Sequence, residues 1–413
     1  MHDLIILVII WCGVFVASYA AHLSRLTPVL WYLFFGSMMV NFGWLPTEMP
    51  TFIEDFAELG IILIMFALGF EENTDNFIAS IKRSWGIALF GAVVPFSVAY
   101  LCALWFWNDQ NVALLCGLAM TATAVSLTLV SLRTEGLSHT PAATGIMTSA
   151  VLDDIASLAL VAVMIPMAAG EATPTLAGVG WVIGKAALFF LLITFIGGWI
   201  FPASTGFMKR VPILGRFDLI RMLSMGEGEY TTLTIVTLAV VVGLLAHKFG
   251  FHPAVGAYMA GLVIKKEYFE FHQHKQTDFY NQTKLIIDNV AFCWIGPVFF
   301  VTLGTRLIFE MDIFLSILPE ATVMTLGLLL GQTLSAALAA RYTGDFDWPA
   351  SWMIGFGMLG RAELAFVVMD IAYVQRHILT THAFYTLMFT AFWLNVSVPL
   401  TIRWWKSKWG HTI

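Results

Sequence analysis

Apolar segments of membrane-spanning length recur along the whole chain, and they constrain its fold more than any other feature. A helix needs about 20 predominantly apolar residues to cross the hydrocarbon of a bilayer. We assign thirteen spans, near residues 4–20, 28–42, 56–70, 84–107, 111–131, 141–168, 178–201, 230–247, 252–264, 286–305, 313–340, 349–374 and 383–402. Backbone polar groups find no water inside a bilayer, so these spans are predicted to be helices. The alternating pattern of a membrane β-barrel is absent from the sequence.

The composition supports the same fold class. Charged residues make up 12% of the 413 residues and hydrophobic residues 59%, whereas soluble domains carry about 25% charged residues. We therefore predict an all-α polytopic membrane protein with about thirteen transmembrane helices. No loop is long enough for a soluble domain that folds alone, so we expect the membrane part itself to carry the function.

The positions of Lys and Arg predict the orientation in the membrane. With thirteen spans, sixteen of the 21 basic residues fall in the loops on one side and three in the loops on the other, and Lys185 and Arg361 lie within spans. Loops on the cytoplasmic side carry the excess of basic residues. The N-terminus is therefore predicted to lie outside the cell and the C-terminus in the cytoplasm.

Two adjacent carboxylates, Asp153 and Asp154, lie inside the sixth span, in the stretch TSAVLDDIASLALVAVMIP. An aspartate near the bilayer centre opposes insertion by about 2.5–3.5 kcal/mol, so ionisable residues at such positions are functional candidates. Neighbouring residues on a helix point about 100° apart, and a single basic partner cannot easily satisfy both. A helix cap and an ion pair with Arg361 or Lys185 are the alternatives, but we predict that at least one carboxylate faces water or a cation.

The fifth and the twelfth spans are both predicted to be interrupted helices. The fifth, GLAMTATAVSLTLVSL, concentrates hydroxyl groups that bond backbone carbonyls or replace them as ligands, at Thr121, Thr123, Ser126 and Thr128. The twelfth, IGFGMLGRAELAF, has three glycines within six positions. Transporters built as inverted repeats place one interrupted helix in each half, beside a binding site near the midplane. Plain packing of small residues between helices is the alternative for the hydroxyl cluster.

Three more polar residues lie within predicted spans and support the candidate site: Gln332, Arg361 and Glu363. Arg361 and Glu363 are predicted to neutralise each other or to brace neighbouring helices, and direct contact with a substrate is the alternative. The sequence has no His-Glu-x-x-His or Gly-x-Ser-x-Gly motif. We therefore expect a protein that is not an enzyme, has no cofactor and does not bind nucleic acid.

Four stretches together resemble a known family: TATAVSLTL, VLDDIASL, GPVFFVTLG at 296–304 and GMLGRAELAF at 357–366. They are similar to the bacterial monovalent cation:proton antiporter-2 family of the sodium/proton exchanger superfamily, and the paired Asp resembles its sodium/proton branch. The resemblance covers essentially the whole chain, with the motifs in the same order.

The resemblance implies a homodimer in the bacterial inner membrane, in contact with membrane lipid, in which two domains of each protomer move against each other as an elevator. The interface domain comprises helices 1–3 in residues 1–83 and helices 8–10 in residues 230–312. The core domain comprises helices 4–6 in residues 84–170 and helices 11–13 in residues 313–413, with crossed, unwound fifth and twelfth helices. Residues 171–229 form a linker helix and a cytoplasmic loop.

The resemblance also implies roles for particular residues. Asp154 matches the ion-binding carboxylate and Asp153 its partner, while Thr123, with Ser126 nearby, matches the first unwound segment. Arg361 and Glu363 match the paired charges of the second crossing helix. The departure is Gln332, because electrogenic sodium/proton members usually carry a Lys there that pairs with the first Asp.

The function implied is secondary active antiport, most simply of Na⁺ against H⁺, with Li⁺ or K⁺ as other possible cations. Burial disfavours a bare carboxylate, so the Asp pair is expected to hold either protons or a cation, and this competition couples the two fluxes. Without a Lys at position 332 we expect electroneutral exchange. A K⁺/H⁺ exchanger is one alternative, and a non-transporting sensor or a channel on the same scaffold is the other.

Overall fold

A computed structural model of the chain describes residues 2–24, 26–71, 74–124, 127–128, 131–132, 135–137, 140–170, 181, 184–185, 188–189, 191–193, 195, 222–249, 251–264, 266–269, 278–361 and 363–410. Within these residues the regular secondary structure is helical, and none of them forms a β-strand. The predicted all-α architecture is therefore confirmed. The seventh predicted span, 178–201, lies mostly outside the described residues.

The α-helices lie where the apolar segments predict them. They are α1 (His2–Ser24), α2 (Pro28–Asn41), α3 (Thr51–Glu71), α4 (Thr74–Trp107), α5 (Gln110–Ala119), α6 (Pro141–Ala168), α7 (Thr231–Lys248), α8 (Pro253–Val263), α9 (Phe279–Asn289), α10 (Gly296–Gly304), α11 (Met311–Thr343), α12 (Trp348–Gly357), α13 (Glu363–Asp370) and α14 (Thr381–Trp409). Short π-helical segments follow α9 at Val290–Trp294 and α13 at Ile371–Gln375. Turns of 3₁₀-helix lie at Met225–Gly228 and Lys266–Phe269.

Six helical segments of the described chain are long and apolar enough to cross a membrane. They are Asp3–Ser24, Ser84–Trp107, Thr231–Lys248, Phe279–Gly304, Met311–Thr343 and Thr381–Trp409. Shorter apolar helices occupy several of the other predicted spans, including Pro28–Asn41, Gln110–Ala119 and Pro253–Val263. The chain is thus a multi-pass membrane protein, and the total of thirteen spans stays a prediction.

The chain divides into two compact units, of which the first comprises Met1–Trp11, Glu48–Thr74 and Leu176–Thr302. Its helices α3 and α8 pack closely because glycines face the neighbouring backbone. A Cβ atom on Gly69 would overlap the carbonyl of Tyr258. Small residues at such crossings let membrane helices approach and pack in the absence of a hydrophobic driving force.

The second unit comprises Cys12–Thr47, Asp75–Thr175 and Leu303–Ile413. In it α11 packs against α12 and α14, and α5 packs against α6 and α13. Side-chain oxygens cap the starts of its helices by accepting backbone N–H groups: Asp109 for α5, Thr140 for α6, Asp347 for α12 and Thr380 for α14. All the described residues of the candidate site belong to this unit.

Candidate functional site

The fifth and twelfth spans are interrupted where the sequence predicts it. In the fifth, α5 ends at Ala119, residues 120–124 are not helical and residues 127–128 are helical again; residues 120–124 are called the first break below. In the twelfth, α12 ends at Gly357 and α13 begins at Glu363. The described residues between them, 358–361, are called the second break. Both breaks free backbone groups from helical hydrogen bonding inside the second unit.

The two breaks are hydrogen-bonded to each other. The backbone N–H of Ala124 donates to the carbonyl of Gly360 at 2.9 Å. Just beyond the first break, the Thr128 hydroxyl donates to the carbonyl of Gly357 at 2.6 Å. The approach at Gly360 is close, because a Cβ there would lie 3.0 Å from the Cβ of Ala124. These groups of the non-helical backbone are therefore satisfied by protein groups, which is the condition for tolerating such backbone within a membrane.

Asp153 reaches the first break from α6. Its side chain is 0% exposed, and its Oδ2 accepts hydrogen bonds from the backbone N–H of Thr123 at 3.2 Å and from the Thr123 hydroxyl at 2.9 Å. Its other oxygen, Oδ1, is buried without a hydrogen-bond partner among the described residues. Half of this carboxylate is thus bound by the protein, and the other half is available to a proton or a cation.

Arg361, in the second break, has a fully buried guanidinium that turns back onto its own segment. Its Nη1 donates to the carbonyls of Met358, Leu359 and Gly360 at 3.2, 3.3 and 2.9 Å. These carbonyls follow the end of α12, where the helix dipole is negative. The guanidinium therefore offsets the negative end of α12 and satisfies carbonyls of the second break.

Gln332 meets the same guanidinium from α11. Its Oε1 accepts a hydrogen bond from Nη2 of Arg361 at 3.0 Å, and the residue is fully buried. Its Nε2 has no partner among the described residues. A neutral amide thus occupies the position at which electrogenic members of the resembled family usually carry a Lys, and a positive charge near the carboxylate belongs to Arg361.

Asp153 and Arg361 attract each other electrostatically, but within the described contacts they form no direct hydrogen bond or ion pair. The guanidinium bonds go to carbonyls and to Gln332 instead. Asp153 also lies well inside α6, so it is not a cap of its own helix. The described contacts of Asp153 are therefore neither those of a helix cap nor those of an ion pair with Arg361. Lys185, the other basic residue considered as a partner, lies over the ring of Trp181, with its Nζ 5.9 Å from the ring centroid.

Asn395 of α14 is a site residue that sequence reasoning missed. Its Oδ1 accepts the backbone N–H of Arg361 at 2.7 Å, and its Nδ2 donates to the carbonyl of Arg361 at 2.6 Å. The signal for it was available, since it is an amide side chain within the otherwise apolar stretch AFWLNVSVPL. Hydrogen bonds between membrane helices commonly use such residues.

The other predicted site residues have separate outcomes. Glu363 is buried and begins α13, where a negative charge suits the helix dipole. The backbone of Asp154 belongs to α6, but its side chain lies outside the described residues, as does Ser126. The structure therefore brings together Asp153, Thr123, Arg361 and Gln332 through the two breaks.

The sequence profile described as "Sodium/hydrogen exchanger, transmembrane" matches residues 6–406 of this chain. A Na⁺/H⁺ antiporter of Enterococcus hirae is 24% identical over 409 residues, which cover 97% of this chain and 98% of the relative. A Na⁺/H⁺–K⁺ antiporter of Bacillus cereus is 27% identical over 330 residues, 79% of this chain and 76% of the relative.

Among solved structures, that of a sodium/proton antiporter from Methanocaldococcus jannaschii at pH 8 superposes with a TM-score of 0.66. Its sequence identity is 13%, and the superposition covers 98% of this chain and 100% of that one. At 13% sequence identity, this structural similarity establishes the fold alone. Together with the profile match over nearly the whole sequence, it confirms the resemblance seen in the motifs: the chain belongs to the family of transmembrane sodium/hydrogen exchangers.

Proposed function

We propose that this protein is a secondary active monovalent cation/proton antiporter that exchanges Na⁺ for H⁺. The observation that carries the proposal is the carboxylate of Asp153. It is fully buried, its Oδ2 is held by Thr123 of the first break, and its Oδ1 has no partner among the described residues. A carboxylate in this position, next to a second one, is suited to bind a proton or a small cation.

The coupling of the two fluxes follows from the cost of burying charge. A bare carboxylate away from water is strongly disfavoured, so the pair of aspartates binds either protons or a cation while the site moves between the two sides. Because the two ligands compete for one site, each cation that enters displaces protons, and the two gradients are linked without a further device.

Within this proposal, Asp154 is the carboxylate that binds the cation and Asp153 is its partner. Thr123 and Ser126 contribute oxygens from the fifth span. Arg361 is the countercharge and Gln332 its support, in agreement with their hydrogen bond. Because Arg361 and Asp153 attract each other without direct contact, the carboxylate stays open to exchange.

The movement we propose is that of a core domain, 84–170 with 313–413, against an interface domain, 1–83 with 230–312. Residues 171–229 link them, and two protomers form a homodimer through their interface domains. Both parts of the proposed core domain fall within the second compact unit, which also contains residues 12–47 and 303–312 of the proposed interface domain. We place the protein in the bacterial inner membrane, with the N-terminus outside and the C-terminus in the cytoplasm, from the distribution of basic residues.

Transport by purified protein in vesicles tests this function. The vesicles are acid inside and contain a pH-sensitive dye that is quenched by the proton gradient. Adding Na⁺ is expected to dequench the dye with saturating kinetics, and Li⁺ and K⁺ are added in parallel to rank the cations. Vesicles without protein give the background, and flux that does not saturate or is not coupled to protons would identify a channel.

Exchange of K⁺ for H⁺ is the second candidate function, because the Bacillus cereus relative is described as an antiporter of both Na⁺ and K⁺. It predicts a response to K⁺ that equals or exceeds that to Na⁺ in the same vesicles. Vesicles that respond to none of the three cations would contradict both exchange functions and favour a sensor on this scaffold.

We expect the exchange to be electroneutral because Gln332 is neutral and its basic partner among the described hydrogen bonds is the guanidinium of Arg361, which stays charged. With no Lys at 332 to release a proton during the cycle, one proton leaves for one cation. The transport rate is therefore expected to be independent of a membrane potential set with valinomycin and K⁺. A rate that rises or falls steadily with the imposed potential would contradict this stoichiometry.

A further inference from the structure

We propose that Asn395 is a positioning residue for the ion site, which it controls from α14 without touching Asp153. The inference deepens the proposed antiport function and rests on it. It adds a residue that neither the sequence motifs nor the resemblance singled out. Hydrogen bonds and the backbone between sequence neighbours connect Asn395 to the carboxylate.

The first step is the bond between Asn395 and the second break. Both ends of the amide are used, since Oδ1 accepts from the N–H of Arg361 and Nδ2 donates to its carbonyl. Asn395 thus fixes the backbone of Arg361 as a β-strand partner would. Loss of the amide would leave a buried N–H and a buried C=O without partners, an arrangement that proteins avoid.

The second step runs from the second break to the carboxylate. Gly360, the residue before Arg361, accepts the N–H of Ala124. The residue before Ala124 is Thr123, whose N–H and hydroxyl hold Asp153. Each step passes through backbone atoms in residues that are adjacent in sequence. A shift of Arg361 is therefore expected to move the carboxylate of Asp153, the partner of the proposed cation-binding Asp154.

Groups that orient a ligand-binding residue commonly affect affinity when they are removed, with losses of about 10–100-fold at metal sites. Since the described hydrogen bonds of Asn395 go to the backbone of Arg361 and not to Asp153, we expect its removal to weaken cation binding more than it slows the movement of the core. The measurement that separates these effects is the apparent KM for Na⁺ against the maximal rate.

A matched control is available in the same unit. Asn41 of α2 also uses both ends of its amide on backbone groups: Nδ2 donates to the carbonyl of Leu307 at 3.0 Å, and Oδ1 accepts the N–H of Phe309 at 2.8 Å. It therefore makes the same kind of bond to a different segment. The substitution Asn41→Ala removes hydrogen bonds of this kind, together with the bond from Nδ2 to the carbonyl of Ser37 at 2.7 Å, from an exposed position outside the site.

The experiment compares Asn395→Ala, Asn41→Ala and the wild type in the vesicle assay. Asn395→Ala is expected to raise the KM for Na⁺ about tenfold, with a maximal rate that changes by less than about threefold. It is also expected to narrow the difference between the KM for Na⁺ and the KM for Li⁺. Asn41→Ala is expected to keep the wild-type KM. An unchanged KM in folded Asn395→Ala, or an equal rise in Asn41→Ala, would overturn the assignment.

A second variant keeps the proposal testable if Asn395→Ala does not fold. Gly360→Ala keeps the amide of Asn395 and places a Cβ 3.0 Å from the Cβ of Ala124. We expect the resulting small shift between the two breaks to raise the KM in the same way. In the double variant the two effects should be less than additive, because both act through one set of contacts. Full additivity, or a Gly360→Ala variant with wild-type KM, would overturn the proposal.

Failure of the antiport function can be distinguished from failure of this inference. If wild-type vesicles are silent with all three cations, the function is wrong, and Na⁺ binding is then measured as a Na⁺-dependent rise in the unfolding temperature of the detergent-solubilised protein. Asn395→Ala is expected to need about tenfold more Na⁺ for the same rise. An unaltered Na⁺ dependence would overturn the positioning role independently of transport.

Discussion

Substitution of Asp154 by Asn is expected to reduce cation-driven proton movement to the level of vesicles without protein. An amide of the same size neither takes up nor releases a proton near neutral pH and offers no negative charge to a cation. The substitution removes an ionised group from the middle of α6, where it costs about 2.5–3.5 kcal/mol to insert. The variant should therefore fold at least as well as the wild type while its transport is lost.

The measurement is the initial rate of dye dequenching at saturating Na⁺, together with the elution profile of the purified protein. Asp312→Asn is the control, because Asp312 is an exposed aspartate in the first turn of α11, and that variant is expected to transport as the wild type does. Wild-type exchange by Asp154→Asn would refute the assignment. If Asp153→Asn were inactive while Asp154→Asn still transported, the roles of the two carboxylates would be reversed.

Replacement of Arg361 by Met is expected to give the largest loss of stability of any substitution at the site. The change removes the guanidinium donor from the carbonyls of Met358, Leu359 and Gly360, of which Gly360 still accepts the N–H of Ala124, and it removes the charge that attracts Asp153. Removing one partner of a buried charged arrangement typically costs about 3–5 kcal/mol. The free energy of unfolding of Arg361→Lys should lie between those of the wild type and of Arg361→Met. An ammonium keeps the charge but lacks the planar guanidinium that reaches several acceptors.

The check is the free energy of unfolding in mixed micelles, measured by titration with a denaturing detergent. Arg341→Met is the matched control, because Arg341 is partly exposed, donates to one carbonyl, that of Phe346, and stacks on Trp348. Its loss should cost less than about 1 kcal/mol, as for other interactions near the surface. Equal destabilisation by the two substitutions would contradict the structural role given to Arg361.

Much of the fold could be predicted from sequence because hydrophobic length and helix breakers act locally. The apolar spans predicted helices, and the glycines and hydroxyls in GFGMLG and TATAVS predicted the two interruptions. The burial of Asp153 followed from its position inside an apolar helix. Each of these depends on residues close together in the chain, so no knowledge of tertiary contacts was needed.

The partners of the charged groups could not be predicted in the same way. The sequence favoured a neutralising pair between Arg361 and Glu363 or a bracing role. The bonds of Arg361 to α11, to α14 and to its own carbonyls correspond to bracing. Residues two apart do not face each other on a helix. Arg361 lies in the second break, and α13 begins at Glu363. The bond from Asn395 joins residues 34 positions apart, and local patterns carry no information about it.

The guanidinium on the second break has a consequence for how a metal ion is accommodated. The carbonyls of residues 358–360 already accept hydrogen bonds from a positive group, and that of Gly357 accepts from Thr128. A carbonyl that already has a positive partner is a poorer ligand for a metal ion than the free carbonyls that line a selective channel. We therefore expect carboxylate and hydroxyl oxygens, rather than these carbonyls, to supply most of the protein ligands of an ion that reaches Asp153.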